Sequence, residues 1–179
     1  MAQTVVVFSH GKDSGPWGHK IKALAATVTE LGYGAESVDY QGIDSVEQRV
    51  AKLVSFCAGL AAPPLLVGSS LGGLVAVGAA DAVQARGLLL MAPAFYLPVL
   101  PDMPHTLPAC PTVIVHGWRD DIVPCDNSIR YARAQHSALH LVDDDHRLYA
   151  SLPLIDALLR QLLRSLNSAA APERDHAQS

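Results

Sequence analysis

Four short apolar runs, Val5-Val6-Val7-Phe8, Leu65-Leu66-Val67, Leu88-Leu89-Leu90-Met91 and Val113-Ile114-Val115, are continuous rather than alternating. A strand with one wet face alternates, whereas a strand covered on both faces does not, so these runs predict the inner strands of a parallel sheet. Two weaker segments, 35–40 and 139–143, predict two more strands. The second alternates, which places it nearer a sheet edge. Between the strands, apolar positions recur at helical spacing. Ile21, Leu24, Ala25, Val28 and Leu31 share one face, with Gly32 placed to end the helix. Val46, Val50, Leu53, Val54 and Cys57 form a second stripe, with Asp44 as its expected cap and Glu47 reaching back. Residues 71–81 are rich in Gly and Ala and suit close packing on a sheet. Residues 129–135 predict a shorter helix. Residues 152–166 predict a long one, with Pro153 in the first turn, where a missing N–H costs no helical bond.

Strand and helix alternate throughout, which predicts a doubly wound α/β sheet of six strands with right-handed crossovers. No repeat or second domain interrupts it. Residues 1–167 read as one domain, and SAAAPERDHAQS (168–179), small and polar, as a frayed tail.

Composition narrows the partners. The 179 residues are 50% hydrophobic, enough for a filled core, and the net charge is −4 with Lys and Arg scattered. Such a chain has no field to draw nucleic acid or an anionic membrane. Three cysteines without a C-x-x-C pair read as reduced thiols. Met1 leads straight into a strand without a signal-like segment, and no apolar run reaches the ~20 residues that span a bilayer. The expectation is a soluble, cytoplasmic protein without stable membrane insertion; its oligomeric state is not readable.

The candidate chemistry lies where strands give way to helices. Gly68-Ser69-Ser70-Leu71-Gly72 succeeds an apolar strand and opens a helical segment. In this G-x-S-x-G pattern the central serine occupies a strained turn that flanking glycines allow to tighten. A serine before a helix can also be a plain N-cap. The pattern gains weight from two partners further along the chain: Asp120 after His116-Gly117, then His146 after Asp145. A serine hydroxyl needs a histidine to take its proton and an acid to orient that histidine. Ser70, Asp120 and His146 supply these groups just beyond strand ends, where ligand sites gather in open α/β sheets.

Asp121 is the reserve acid, and Ser69 the rival serine. Asp143-Asp144-Asp145 reads as a solvated loop, in which Asp145 could still position His146. His10 and His116 each precede a glycine at a strand end and read as turn formers. The backbone N–H of Leu71 is one expected oxyanion donor. The other comes from the loop 9–16, with Lys12 the choice. That Gly-rich loop lacks the spacing of a phosphate-binding loop, and H-E-x-x-H is absent, so neither a nucleotide cofactor nor a metal is indicated.

Together, Phe8-Ser9-His10-Gly11, Gly68-Ser69-Ser70-Leu71-Gly72-Gly73, His116-Gly117-x-x-Asp120-x-x-Val123-Pro124 and Asp145-His146-Arg147 resemble the oxyanion loop, elbow, acid turn and histidine turn of the α/β-hydrolase superfamily, in its small members without a lid domain. The resemblance spans Val5 to Leu166. It implies a three-layer α/β/α sandwich with a mostly parallel sheet of order 2-1-3-4-5-6, Ser70 as nucleophile, Asp120 as acid and His146 as base. Residues 93–108 stand where larger relatives insert a cap. Here Phe95, Tyr96, Leu97, Leu100 and Met103 either line an acyl pocket or cover the sheet's end. The expected activity is hydrolysis of carboxylic esters with small or medium acyl groups, on a small-molecule ester or thioester. Thioester hydrolysis or acyl transfer by the same triad, peptide hydrolysis, and a non-enzymatic interaction module are the alternatives.

Overall fold

The computed structural model describes residues 3–100 and 108–168. Its elements are β1 (Val5–Ser9), α1 (His19–Glu30), β2 (Gly34–Val38), α2 (Val46–Cys57), β3 (Leu65–Ser69), α3 (Leu71–Ala80), β4 (Gly87–Met91), β5 (Thr112–Gly117), α4 (Cys125–Gln135), β6 (Ala138–Val142) and α5 (Leu152–Ser168). The strands form one sheet in the order β2-β1-β3-β4-β5-β6, with every neighbouring pair parallel. The four continuous apolar runs are the four inner strands, and the two weaker segments are the edges.

The pleat explains why the inner runs are apolar at every position. Val6, Phe8, Leu65, Val67, Leu89, Met91 and Val115 face a layer made by α1 and α5. Val7, Leu66, Leu88, Leu90 and Ile114 face the opposite layer, made by α2, α3 and α4. Successive residues serve two separate cores, so none can be polar without cost. In α3 every residue except Gly78 is buried, and its small side chains let it lie close over the middle of the sheet.

Three local expectations change. The cap of α2 is Ser45 rather than Asp44: its Oγ accepts the Gln48 N–H at 3.2 Å and donates to Glu47 at 2.6 Å. Helix α4 begins at Cys125 rather than near 129, because its first turn is polar and carries no apolar signal. Helix α5 runs through Ser168, so the expected tail loses its first residue, and 169–179 lie outside the described residues. Among the described residues, no helix is long and apolar enough to cross a membrane.

Leu89 is fully buried in the core under α1 and α5, whereas Val99 is 88% exposed. Leu89→Ala is expected to cost about 2–5 kcal/mol and Val99→Ala within about 0.5 kcal/mol, read from urea unfolding midpoints.

Candidate active site

β3 ends at Ser69 and α3 begins at Leu71, so Ser70 alone turns the chain. Its backbone sits at φ 53° and ψ −122°. A non-glycine residue there costs on the order of 1–3 kcal/mol unless the surroundings hold it. They do. The Ser70 N–H donates to Met91 O at 2.9 Å, and the Ser70 carbonyl accepts from Gly73 N–H at 2.9 Å and Ala94 N–H at 3.0 Å. The flanking glycines are required by space. A Cβ on Gly68 would lie 2.6 Å from Gly72 O, and one on Gly72 would lie 2.0 Å from Ser9 O.

The acid and histidine turns leave β5 and β6 side by side. Trp118 N–H donates to Val142 O at 2.8 Å and Arg119 N–H to Asp144 O at 3.0 Å, which ties the two turns together. Asp120 Oδ1 accepts the N–H groups of Ile122 and Val123 at 2.9 and 2.8 Å, fixing the carboxylate by its own turn. Across from it, Asp145 Oδ1 accepts Arg147 N–H at 2.8 Å and closes the turn around His146. Asp144 departs from the expected solvated loop. It is buried, and its carboxylate accepts from Asp145 N–H at 2.8 Å and from the N–H and hydroxyl of Ser151 at 2.9 Å each, joining the turn to the start of α5.

These turns bring three side chains into a relay. Ser70 Oγ lies 3.0 Å from His146 Nε2, and His146 Nδ1 lies 2.7 Å from Asp120 Oδ2. The Asp120 side chain is fully buried, while that of His146 is 19% exposed. A carboxylate can only accept, so His146 carries its proton on Nδ1 and leaves Nε2 facing the serine. Asp121, the reserve acid, is exposed to solvent.

His116, read from the sequence as a turn former, also belongs to this cluster. Its Nε2–H points at Asp120 Oδ2 and Val123 O, both at 3.0 Å, and its Nδ1 lies 2.7 Å from Ser128 Oγ. The available signal was the i,i+4 spacing of His116 and Asp120 across a turn. Burial alone would raise the Asp120 carboxyl. Hydrogen bonds from His116, His146, Val123 N–H and Ile122 N–H outweigh it and hold the group well below the usual carboxylate range. Lys20, in the first turn of α1, is a second group the sequence did not single out. Burial pulls its ammonium down to about 8, against the opposing pull of the Asp120, Asp144 and Asp145 carboxylates.

The oxyanion candidates flank Ser70. Leu71 is the first residue of α3, so its N–H has no partner within the helix. Lys12 comes directly after Gly11, and a Cβ on Gly11 would lie 3.4 Å from Ser70 Cβ. The expected pocket residues divide. Phe95 is fully buried and stacks on Tyr131 at 4.3 Å, so it fills the core and offers no wall to a ligand. Half-buried Tyr96 carries the Arg130 guanidinium 4.0 Å above its ring. Leu97 is half-buried, Leu100 packs against the same core as Phe95, and Met103 lies outside the described residues. Among the described residues, no cluster of three or more His, Cys, Asp or Glu side chains is placed to hold a metal ion.

An open, all-parallel α/β sheet with an elbow serine defines a class, and the chain matches the model of the alpha/beta hydrolase family over residues 6–176. It belongs to that family. A protein of Xanthomonas campestris pv. campestris assigned to the α/β-hydrolase superfamily is 32% identical, with a TM-score of 0.84 over 91% of this chain and 99% of that one. Alpha/beta hydrolase domain-containing protein 10 from mouse is 23% identical, with a TM-score of 0.76 over 93% and 92%. Est1E from Butyrivibrio proteoclasticus is 18% identical, with a TM-score of 0.75 over 93% and 89%. At those identities the last two share the fold. Among curated proteins, none matches the chain.

The depressed Asp120 carboxyl has a consequence for stability. With an unfolded value near ~3.9, the unfolded chain binds the proton first as pH falls, so the stabilisation is complete above about pH 4 and is lost on acidification towards the folded value. Urea midpoints of the wild type should drop steeply below about pH 4. Asp120→Asn should be less stable at neutral pH and show a shallower acid slope.

Proposed function

We propose that the chain is a serine hydrolase that cleaves carboxylic esters through an acyl-Ser70 intermediate. The observation that carries this reading is the relay from Ser70 Oγ through His146 to buried Asp120, built on a serine held at positive φ. In this reading His146 Nε2 takes the Ser70 proton as Oγ attacks the ester carbonyl. Asp120 keeps the imidazole in the tautomer that can accept, and stabilises the imidazolium that forms. The negative charge gathering on the carbonyl oxygen is met by the N–H groups of Leu71 and Lys12. His146 then gives its proton to the leaving alkoxide, and the acyl group stays on Ser70. A water molecule, deprotonated by His146, repeats the sequence on the acyl-enzyme and releases the acid.

An apolar substrate of small or medium size fits this reading. Trp17, Trp118, Ile122 and Tyr149 are exposed large side chains on the loops that carry the oxyanion loop, the acid turn and the histidine turn. A thioester, or an acyl acceptor other than water, would use the same residues.

A fluorophosphonate reacts only with an activated serine. Stoichiometric labelling mapped to Ser70, and absent from a folded Ser70→Ala, is expected. Asp120→Asn should reduce kcat on a short-chain aryl ester by about four orders of magnitude. A wild-type protein that is folded yet unlabelled would overturn the reading and leave binding as the use of this fold.

A further inference from the structure

Behind the proposed oxyanion loop lies a charge that the triad does not use. Arg49, on α2, is only 2% exposed. It occupies a core-facing position between Val46 and Leu53, and among the described residues no carboxylate lies within ion-pair distance of it. Burial disfavours its charge, and Tyr40, Asp44 and Asp13 favour it only from beyond contact distance, so the guanidinium still needs direct acceptors. Its acceptors here are backbone carbonyls. Nε donates to Ile43 O at 2.7 Å and Nη1 to Gly11 O at 3.4 Å, and Cζ lies 5.3 Å from the centre of the Tyr40 ring.

The same Gly11 oxygen has a second donor. His10 is fully buried, with Nδ1 2.7 Å from Gly11 O and Nε2 2.8 Å from the Tyr40 N–H. An N–H can only donate, so Nε2 must accept, and Nδ1 must carry the proton that goes to Gly11 O. Two buried donors on different elements therefore converge on one carbonyl. In a planar trans peptide the carbonyl of one residue and the N–H of the next point in opposite directions. Holding Gly11 O towards the interior turns the Lys12 N–H outwards, on the loop that abuts Ser70.

We propose that Arg49 is a positioning residue for the reaction: with His10 it locks the Gly11–Lys12 peptide so that the Lys12 N–H faces the oxygen that turns negative during attack on the substrate. This rests on the serine-hydrolase reading. A positive charge at the carbonyl end of a peptide also draws electron density from its nitrogen, which makes the N–H a stronger donor. Arg49 touches neither substrate nor serine and acts only through that peptide.

The test separates a catalytic effect from a packing effect. In Arg49→Met, kcat should fall about 10- to 100-fold, below the effect of deleting an oxyanion donor outright, with KM changed less than about threefold. Affinity for a boronic acid, which forms a tetrahedral adduct on Ser70, should fall in parallel with kcat. Arg49→Lys, which restores the charge but not the fork, should recover part of both, and it serves as the working variant if Arg49→Met fails to fold. A folded variant with wild-type kcat and boronate affinity would overturn the proposal. A second readout does not depend on chemistry at Ser70. In a Ser70→Ala background, the Lys12 amide resonance should shift or broaden when Arg49 is replaced, because the Gly11–Lys12 peptide is no longer held in one orientation. An unchanged Lys12 amide overturns the proposal even if turnover falls. Failure of fluorophosphonate labelling would instead sink the nucleophile assignment and leave the amide measurement standing.

Discussion

The backbone of Ser9 and the first turn of α3 meet where a Cβ on Gly72 would lie 2.0 Å from the Ser9 carbonyl oxygen. This contact lets the end of β1 and the elbow after β3 occupy adjoining space. Because β1 and β3 are neighbours in the sheet, with Ser9 level with Gly68, any expansion of the elbow would push on the strand beside it. The squeeze holds Ser70 at positive φ, and it presses the loop after β1 against Ser70. A larger residue at Gly72 would relax the elbow and move the loop together, so one backbone contact governs both.

The other half of the site depends on a buried carboxylate. Asp120 accepts four N–H groups, from His146, His116, Ile122 and Val123, with its side chain removed from water. Such a group is stable only when its donors are supplied in place. Two donors come from its own turn, a third from the end of β5, and the fourth from the turn after β6. Asp144, bonded to Ser151, and the backbone ties between the two turns hold that fourth donor in reach. The position of His146 is thus set by a network that starts at α5 and ends in β5.

Much of this was legible in the sequence for definite physical reasons. Continuous runs such as Leu88-Leu89-Leu90-Met91 are apolar because alternate side chains enter two cores, and that leaves a visible trace. Ser70, Asp120 and His146 stood out because each sits at a strand end beside a characteristic glycine or acid, and the fold brings them into one relay. His116, Asp144 and Arg49 left a fainter trace, since a polar residue buried by partners far along the chain has no periodic signature. Arg49 did carry a clue: a charged residue at a core-facing position of an otherwise apolar stripe. Phe95 carried two readings, pocket wall or cover of the sheet's end, because an aromatic residue near a site reads the same whether it lines a cavity or fills the core.

Two buried charges of opposite sign stand on the two sides of Ser70, and their placement matches how charge would redistribute in the proposed reaction. Attack creates a positive imidazolium and a negative oxygen from neutral groups. The imidazolium forms against Asp120, which is already ionised and already hydrogen-bonded. In that reaction the oxygen would form against a peptide whose carbonyl takes the donors of His10 and Arg49, at 2.7 and 3.4 Å. Neither charge has to move or shed water when the reaction begins, and interactions of that kind are worth most in a water-poor site. Each is expensive in the resting protein, and each is tolerated because it is hydrogen-bonded in place, Asp120 by two imidazoles and two backbone N–H groups and Arg49 by backbone carbonyls, rather than paired with the other. Had Arg49 and Asp120 paired directly, both would be cheaper to bury and neither would act on the developing charges.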